Sequence, residues 1–335
     1  MRTYAGFLIA IPVITAALFA AYGASIYLFF RAPLGYQGEG LWLHNAIVKK
    51  EAIAASMSGP KIIFAGGSAT LFGVRARDIQ DAYGVPVVNA AIHAALEADY
   101  MLHLARGMAR PGDAVILPAE YDLFRYEGRY NQSRSFYLRT YDRGFFNGQP
   151  VLTILDDVYK TTPADVLNAV KRQIIYAHDP NERPVGMAYT TETLNGNGDE
   201  TYNYGNAKMA KVMKTARPSP VGGFKETKGL RAIKEFAAWA RDNNVRFYVT
   251  YANAVWFKEY GNDEYRRYFA ELDGYFRENG IGVIGAPRDF FYDAGLFYDT
   301  NYHLNHDGVT IRTNQLMGMM EGMGIIGPPI GARRR

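Results

Sequence analysis

The chain has 335 residues, which is enough for one large domain or two small ones and for a substantial core. Apolar residues make up 48% of the chain and charged residues 21%, so a protein disordered over most of its length is excluded. The net charge of +4 comes without the basic stripe of a nucleic-acid binder. Because the chain has no cysteine, disulfides, thiolate metal sites and a cysteine nucleophile are excluded.

The first thirty residues form a continuous apolar run, and residues 3–30 carry no charged side chain. A helix of this length can cross a hydrocarbon layer about 30 Å thick. Small residues near Ala24 resemble a signal-peptide cleavage site, but the apolar run continues beyond Ser25. We therefore expect an uncleaved membrane anchor over residues 1–31, followed by a connector over residues 32–60. The charges that flank the run do not decide its orientation.

Beyond the connector, short apolar runs that end at turns alternate with stretches of helical periodicity. The predicted strands cover residues 62–65, 85–89, 113–117, 245–251 and 281–284. The predicted helices cover residues 75–83, 90–108, 228–243 and 263–279. This alternation predicts an α/β fold with helices on both faces of a central parallel sheet, a three-layer α/β/α arrangement.

A segment near the middle of the chain interrupts this alternation. Residues 122–225 are rich in Tyr, Asn, Arg and Gly, and we interpret them as a large insertion with a helix near residues 151–177 and long loops after it. The chain contains 25 tyrosines, whose flat rings with a polar edge suit both ordinary packing and carbohydrate binding. The domain is expected to extend over residues 61–325 and to end in a tail over residues 326–335.

The first candidate site follows the first predicted strand, in the sequence AGGSATLFG at residues 65–73. Glycines allow the chain to turn sharply and a substrate to approach the backbone. A serine at the carboxyl end of a sheet strand lies where open α/β sheets bind ligands. Ser68 is therefore a candidate nucleophile. Alternatively, it only caps the helix that follows.

The second candidate site is the sequence YDTNYHLNHDGVTIRT at residues 298–313. A histidine can take the proton of a serine hydroxyl, and an aspartate can orient the imidazole ring. Asp299 and His303 suit these roles, with His306 as a competing base. Alternatively, Asp299 and His303 only cap the next helix. The chain shows no metal-ligand spacing, phosphate loop or dinucleotide fingerprint, so neither a metal nor a cofactor is expected.

Together, these two segments resemble the SGNH (GDSL-like) hydrolase family. In that family the nucleophile lies in a Gly-Asp-Ser-like block after the first strand, and the Asp and His share a block near the C-terminus. This chain has Gly-Gly-Ser68 in the first block and His303-Leu-Asn-His-Asp-Gly308 in the last. It is most similar to members that accompany polysaccharide O-acetylation and teichoic-acid acylation systems. The resemblance covers residues 61–120 and 227–325 and implies an SGNH-type domain outside the cytoplasm, preceded by one membrane helix.

The resemblance also implies an oxyanion hole made by the nucleophile's backbone N–H, a glycine of a second block and an asparagine of a third. Here Asn89-Ala90-Ala91 ends the second predicted strand, and Glu120 ends the third. Gly67, Asn89, Ala91 and Glu120 are therefore the candidates for oxyanion and substrate contacts, with Asn89 as a substitute donor. Because a missing oxyanion donor lowers the rate about 100- to 1,000-fold, weak activity and a non-catalytic descendant both stay open.

The activity that the resemblance implies is acyl-ester chemistry on an extracytoplasmic glycan. Ser68 would attack the acyl carbonyl, His303 would move the protons, and Asp299 would hold His303, although it lies four residues before the histidine instead of the family's three. The expected partners are a polysaccharide and a membrane-bound O-acyltransferase. The acyl group would pass to a sugar hydroxyl or to water. The alternatives are a non-catalytic polysaccharide-binding or scaffold protein and a thioester or lipid hydrolase.

Overall fold

The computed structural model describes residues 2–31, 39–168, 189–204, 212, 214, 216–219 and 221–332. The helices in these ranges are α1 (Arg2–Arg31), α2 (Glu39–Ser56), α3 (Ser68–Leu71), α4 (Ala76–Tyr83), α5 (Glu97–Met108), α6 (Tyr121–Phe124), α7 (Gln132–Tyr141), α8 (Arg143–Asn147), α9 (Val151–Lys160), α10 (Lys228–Asp242), α11 (Asp263–Glu278) and α12 (His306–Gly322). The strands are β1 (Ile62–Phe64), β2 (Val87–Asn89), β3 (Ala114–Ala119), β4 (Arg246–Tyr251), β5 (Ala254–Val255), β6 (Gly282–Ile284) and β7 (Phe291–Tyr292).

The chain divides into two compact units. The first consists of Met1–Leu41 and Tyr130–Glu182, and the second of Trp42–Arg129 and Arg183–Arg335. All the strands, and all the candidate site residues, lie in the second unit. This division differs from the predicted one, because part of the insertion belongs to each unit and most of the predicted connector lies in the second.

The first unit is helical within its described residues. It contains α1 and α7 to α9, and residues 163–168 are also helical. The helix predicted near residues 151–177 is therefore present at its start, while residues 169–177 lie outside the described ranges. Within the unit, the Tyr22 hydroxyl donates to the Thr161 carbonyl oxygen at 3.3 Å.

Residues 3–30 do form a helix, as the apolar run predicted. Across the described ranges, no helix combines the length and the apolarity that a membrane crossing requires. The predicted membrane span is thus not supported.

The second unit is built on a five-stranded sheet with the order β2-β1-β3-β4-β6. Every neighbouring pair of strands in it is parallel, so the predicted α/β fold with a central parallel sheet is confirmed. The strand residues of β1, β2 and β3 are buried throughout, as expected for strands covered on both faces. α5 packs against α10, and α4 packs against α12, which is consistent with three layers.

The order of the strands determines where the candidate site lies in the sheet. β1 has β2 on one side and β3 on the other, so the chain reverses its direction of travel across the sheet at this point. Ligands bind in open α/β sheets outside the carboxyl ends of the strands at such a switch point. Ser68 follows β1 and Glu120 follows β3, so both lie there.

The described residues 189–204 at the end of the insertion consist of turns, short 3-10 segments and one isolated β-bridge, as a loop segment was predicted to, and they cover the outer edge of β2. The Asn89 N–H donates to the Asn197 carbonyl at 2.8 Å, and the Asn197 side chain donates to the Val87 carbonyl at 2.8 Å. Asp199 is fully buried and accepts from the first N–H groups of α4 at 2.7 and 3.0 Å. An unpaired strand edge invites association with other chains, and this segment closes it.

Two further elements differ from the prediction. The helix expected over residues 90–108 begins only at Glu97, since residues 90–96 form a turn in which the Asn89 carboxamide oxygen and the His93 ring accept backbone hydrogen bonds. The small parallel sheet of β5 and β7 was not predicted. Strands of two residues carry too little sequence for a periodic pattern to show.

Candidate functional site

Ser68 is held at the first turn of α3 by tight backbone packing. A side-chain carbon added at Gly67 would clash with the buried Glu120 carboxyl group, which would have to shift. The Ala69 N–H donates to Glu120 Oε1 at 2.9 Å, and the Thr70 hydroxyl donates to the Pro118 carbonyl at 3.0 Å. The turn that carries Ser68 is therefore fixed to the end of β3.

Asp299 and His303 form a direct pair. His303 Nδ1 lies 2.7 Å from Asp299 Oδ1. A carboxylate can only accept, so Nδ1 carries the proton and Nε2 is left as the basic nitrogen. His303 is 5% exposed, and its backbone N–H donates to the Thr300 hydroxyl at 3.1 Å. The loop between the two residues thus accommodates their four-residue spacing.

Phe72 connects the serine segment with the histidine segment. Its N–H donates to the Ser68 carbonyl at 3.0 Å, and its ring stacks on the His303 imidazole with centroids 4.4 Å apart. The Asn203 side chain donates to the carbonyls of Phe72 and Leu304 at 3.3 and 2.6 Å. Residues more than 200 positions apart in the sequence are thereby brought to one place.

The Ser68 hydroxyl itself makes no hydrogen bond to any residue that the structure describes. Ser68 is partly exposed. Catalytic hydrogen bonds are often long without substrate and tighten in the complex. The structure therefore shows an imidazole oriented by a carboxylate, and Phe72 joins it to the segment that begins with Ser68.

Two of the predicted oxyanion residues use their polar groups internally. The Asn89 amide donates to the carbonyls of Thr70 and Val74 at 3.4 and 3.1 Å. Its carboxamide oxygen accepts the Ala91 N–H at 3.2 Å. Asn89 is fully buried, so the expectation that it supplies an oxyanion donor is wrong for this arrangement. Its role is to hold the turn after β1 against the end of β2.

Glu120 is buried against the turn that carries Ser68. It is 3% exposed, and burial raises the pKa of its carboxyl to about 7. Its Oε2 atom is buried and has no hydrogen-bond partner among the described residues. Glu120 therefore supports the Ser68 turn through the Ala69 N–H.

Two residues of the insertion, Tyr189 and Ser219, contact His303 and its chain neighbour Tyr302, and no local pattern in the sequence predicted them. The Tyr189 ring lies edge-on to the His303 ring at 6.4 Å. The Ser219 hydroxyl lies 2.6 Å from the Tyr302 hydroxyl, next to the histidine in the chain. Tyr298 donates its N–H to the His303 carbonyl at 2.7 Å, and burial raises the pKa of its phenol to about 12.

The competing histidine has a different partner. His306 Nδ1 lies 2.9 Å from an Arg75 nitrogen, and since arginine only donates, this nitrogen accepts. His306 also begins α12. His303 is therefore the histidine that Asp299 orients. His93 Nδ1 accepts the Ala95 N–H at 3.1 Å and caps a short turn, so this histidine, predicted to be helical, precedes its helix.

Within the described ranges, no group of three or more His, Asp or Glu side chains could hold a metal ion. No family profile matches the chain, and a search of curated proteins finds no relative.

Proposed function

We propose that this protein carries out acyl-ester chemistry on a glycan, most simply the transfer of an O-acetyl group to a polysaccharide or its removal. The observation that carries the proposal is the 2.7 Å contact between His303 Nδ1 and Asp299 Oδ1, placed beside the Ser68 turn by Phe72. A carboxylate-oriented imidazole next to an accessible serine suits nucleophilic catalysis. The SGNH resemblance of both motifs supports the same chemistry.

The proposed reaction has two steps. Ser68 Oγ bonds to the acyl carbon while His303 Nε2 takes the hydroxyl proton. The ester C–O bond then breaks, and His303 returns the proton to the leaving oxygen, which leaves an acyl-serine. In the second step His303 Nε2 deprotonates a sugar hydroxyl or water, whose oxygen bonds to the acyl carbon. The bond from the acyl carbon to Ser68 Oγ then breaks, and His303 returns the proton to Oγ. Asp299 keeps Nδ1 protonated throughout.

The negative charge that develops on the acyl carbonyl oxygen during the attack needs at least one fixed hydrogen-bond donor. The Ser68 N–H begins α3, and the first N–H groups of a helix have no partner within it. The Ala69 N–H is already bonded to Glu120 at 2.9 Å. We therefore expect an oxyanion hole with fewer donors than the SGNH pattern has, and this shortage predicts slow turnover.

The experiment is to follow acetate release by the full chain from an acetyl ester, with and without an oligosaccharide acceptor. Acetate release that falls when acceptor is added, with acetyl groups appearing on the sugar, supports transfer. Release without acceptor acetylation supports an esterase. Folded protein that neither releases nor transfers acetyl groups contradicts both.

A second candidate function is polysaccharide binding without turnover. The observation that favours it is the internal use of Asn89 and Ala91, which leaves the second block without a free oxyanion donor. Retention on an immobilised glycan that survives Ser68→Ala, together with no turnover by the unsubstituted chain, supports this function. Loss of retention, or measurable turnover, contradicts it.

The location outside the cytoplasm and the membrane-bound O-acyltransferase partner are proposals that rest on the family resemblance alone. A C-terminal alkaline phosphatase fusion in a bacterial host is active only if the domain has been exported. The control is a fusion of the same chain to a protein that fluoresces in the cytoplasm. An inactive phosphatase fusion would contradict the proposed location.

A further inference from the structure

Tyr189 has an unusual backbone conformation next to the candidate base. Its φ is +69°, in the left-handed region that bulky side chains rarely adopt. Strain of this kind persists where the surrounding structure enforces it, and it concentrates at functional sites. The Tyr189 N–H donates to Glu200 Oε2 at 3.4 Å, and Glu200 is 1% exposed. The insertion therefore fixes the direction in which this ring leaves the backbone.

The Tyr189 ring joins an aromatic group around His303. Its centroid lies 4.9 Å from that of Trp42, 5.3 Å from that of Phe72 and 6.4 Å from that of His303. These three side chains are buried, whereas Tyr189 is only partly buried. Tyr189 is thus the ring of this group that a bound molecule can contact.

The position beside His303 determines which part of a substrate meets this ring. His303 must return its proton to the leaving oxygen, so the alcohol half of the ester lies on the histidine side. A phenol ring presents an apolar face and a polar edge, which match the C–H face and the hydroxyls of a pyranose. We propose that Tyr189 is a specificity-determining residue that stacks on the sugar carrying the acylated oxygen. This inference rests on the proposed function and adds the substrate class on its alcohol side.

The test compares one acetyl group on two alcohols, mono-acetylated glucose and ethyl acetate, using the full chain. Tyr189→Asn removes the ring but tolerates a left-handed backbone, and Tyr189→Phe keeps the ring. We expect Tyr189→Asn to lower kcat/KM about tenfold on acetylated glucose, the loss of one aromatic contact, and to lower it much less on ethyl acetate. Tyr189→Phe should keep most of the sugar activity.

The control is Tyr202→Asn, which removes another ring of the insertion. The centroid of the Tyr202 ring lies 6.5 Å from that of Tyr298. This variant should leave the ratio of the activities on the two esters unchanged. Equal losses on both esters, or no preference for the sugar ester in the unsubstituted protein, would overturn the inference while leaving the esterase chemistry intact. No turnover of either ester would remove the proposed function and the inference with it.

Discussion

At the scale of single residues, the proposed chemistry depends on the tautomer of His303. Its Nδ1 donates to Asp299, and this leaves Nε2 as the base. Replacing the equivalent carboxylate by an amide in a serine-protease triad lowers kcat about ten-thousandfold, because the ring takes the wrong tautomer. The Asp299–His303 pair therefore leads to a prediction that distinguishes a catalytic carboxylate from one that only caps a helix.

Asp299→Asn should lower kcat for acetate release about 1,000-fold or more, with little change in the free energy of unfolding. Asp307→Asn, an exposed carboxylate in the first turn of α12, is the matched control and should keep full activity. Steady-state kinetics and urea unfolding of both variants measure the two effects. Equal activity of the two variants would show that Asp299 only caps the loop.

Glu120 gives a residue-scale prediction about pH. Burial raises the pKa of its carboxyl to about 7 in the folded protein, above the ordinary 4.5. Between these values the folded state binds more protons than the unfolded state, so this residue's contribution to stability falls as the pH rises. Relative to Glu120→Gln, the unsubstituted protein should lose up to about 3 kcal/mol of unfolding free energy from pH 5 to pH 8.

The measurement is denaturant unfolding of both proteins at several pH values. Taking the difference between the two proteins removes the contribution of all other titrating groups. A difference that does not change with pH would mean that Glu120 is not a buried titrating carboxyl.

At the scale of elements, the closure of the β2 edge by residues 195–200 is the feature that organises the second unit. Gly198 has a φ of +83°, and a side-chain carbon there would lie 2.6 Å from the Asn89 carbonyl oxygen. The buried Lys50 amine donates to the carbonyls of Asn89 and Gly198 at 2.6 and 2.7 Å. Burial lowers the pKa of this amine to about 7, because the contact lies in an interior with little water.

Gly198→Ala should therefore destabilise the protein by about 2 kcal/mol or more, from left-handed strain together with the clash. Gly196→Ala is the matched control, since nothing lies within 4 Å of its added carbon. Urea unfolding of the two variants compares them directly. Similar stabilities would mean that the segment does not pack on β2.

The elements also show what could be predicted and why. Each sheet strand of β1 to β4 and β6 has a local apolar run, so the sheet was predictable from periodicity. Ser68, Asp299 and His303 lie in short motifs that a single stretch of sequence reveals. Tyr189 and Asn203 reach the site from the insertion, across more than 100 residues, and no local pattern encodes such contacts. Asn89 was misassigned because its partners, Thr70 and Val74, are fixed only by folding.

At the scale of the whole molecule, the chain comprises two compact units, and the candidate site belongs entirely to the second. Replacing residues 130–182 by a flexible Gly/Ser linker of about 20 residues, in a chain that begins at Trp42, should therefore keep a cooperative unfolding transition and the acetate release. Circular dichroism and acetate assays measure both. Loss of cooperative unfolding would show that the second unit depends on the first.

The most direct test of Ser68 as nucleophile is intact-mass analysis of the full chain after brief incubation with an acetyl ester. The proposed mechanism predicts a mass increase of one acetyl group, mapped to Ser68, that is absent in Ser68→Ala. It should be retained in Ser56→Ala, which alters an exposed serine of α2. Folded protein that acquires no acetyl group, or acquires it equally in Ser68→Ala, would contradict the proposed mechanism.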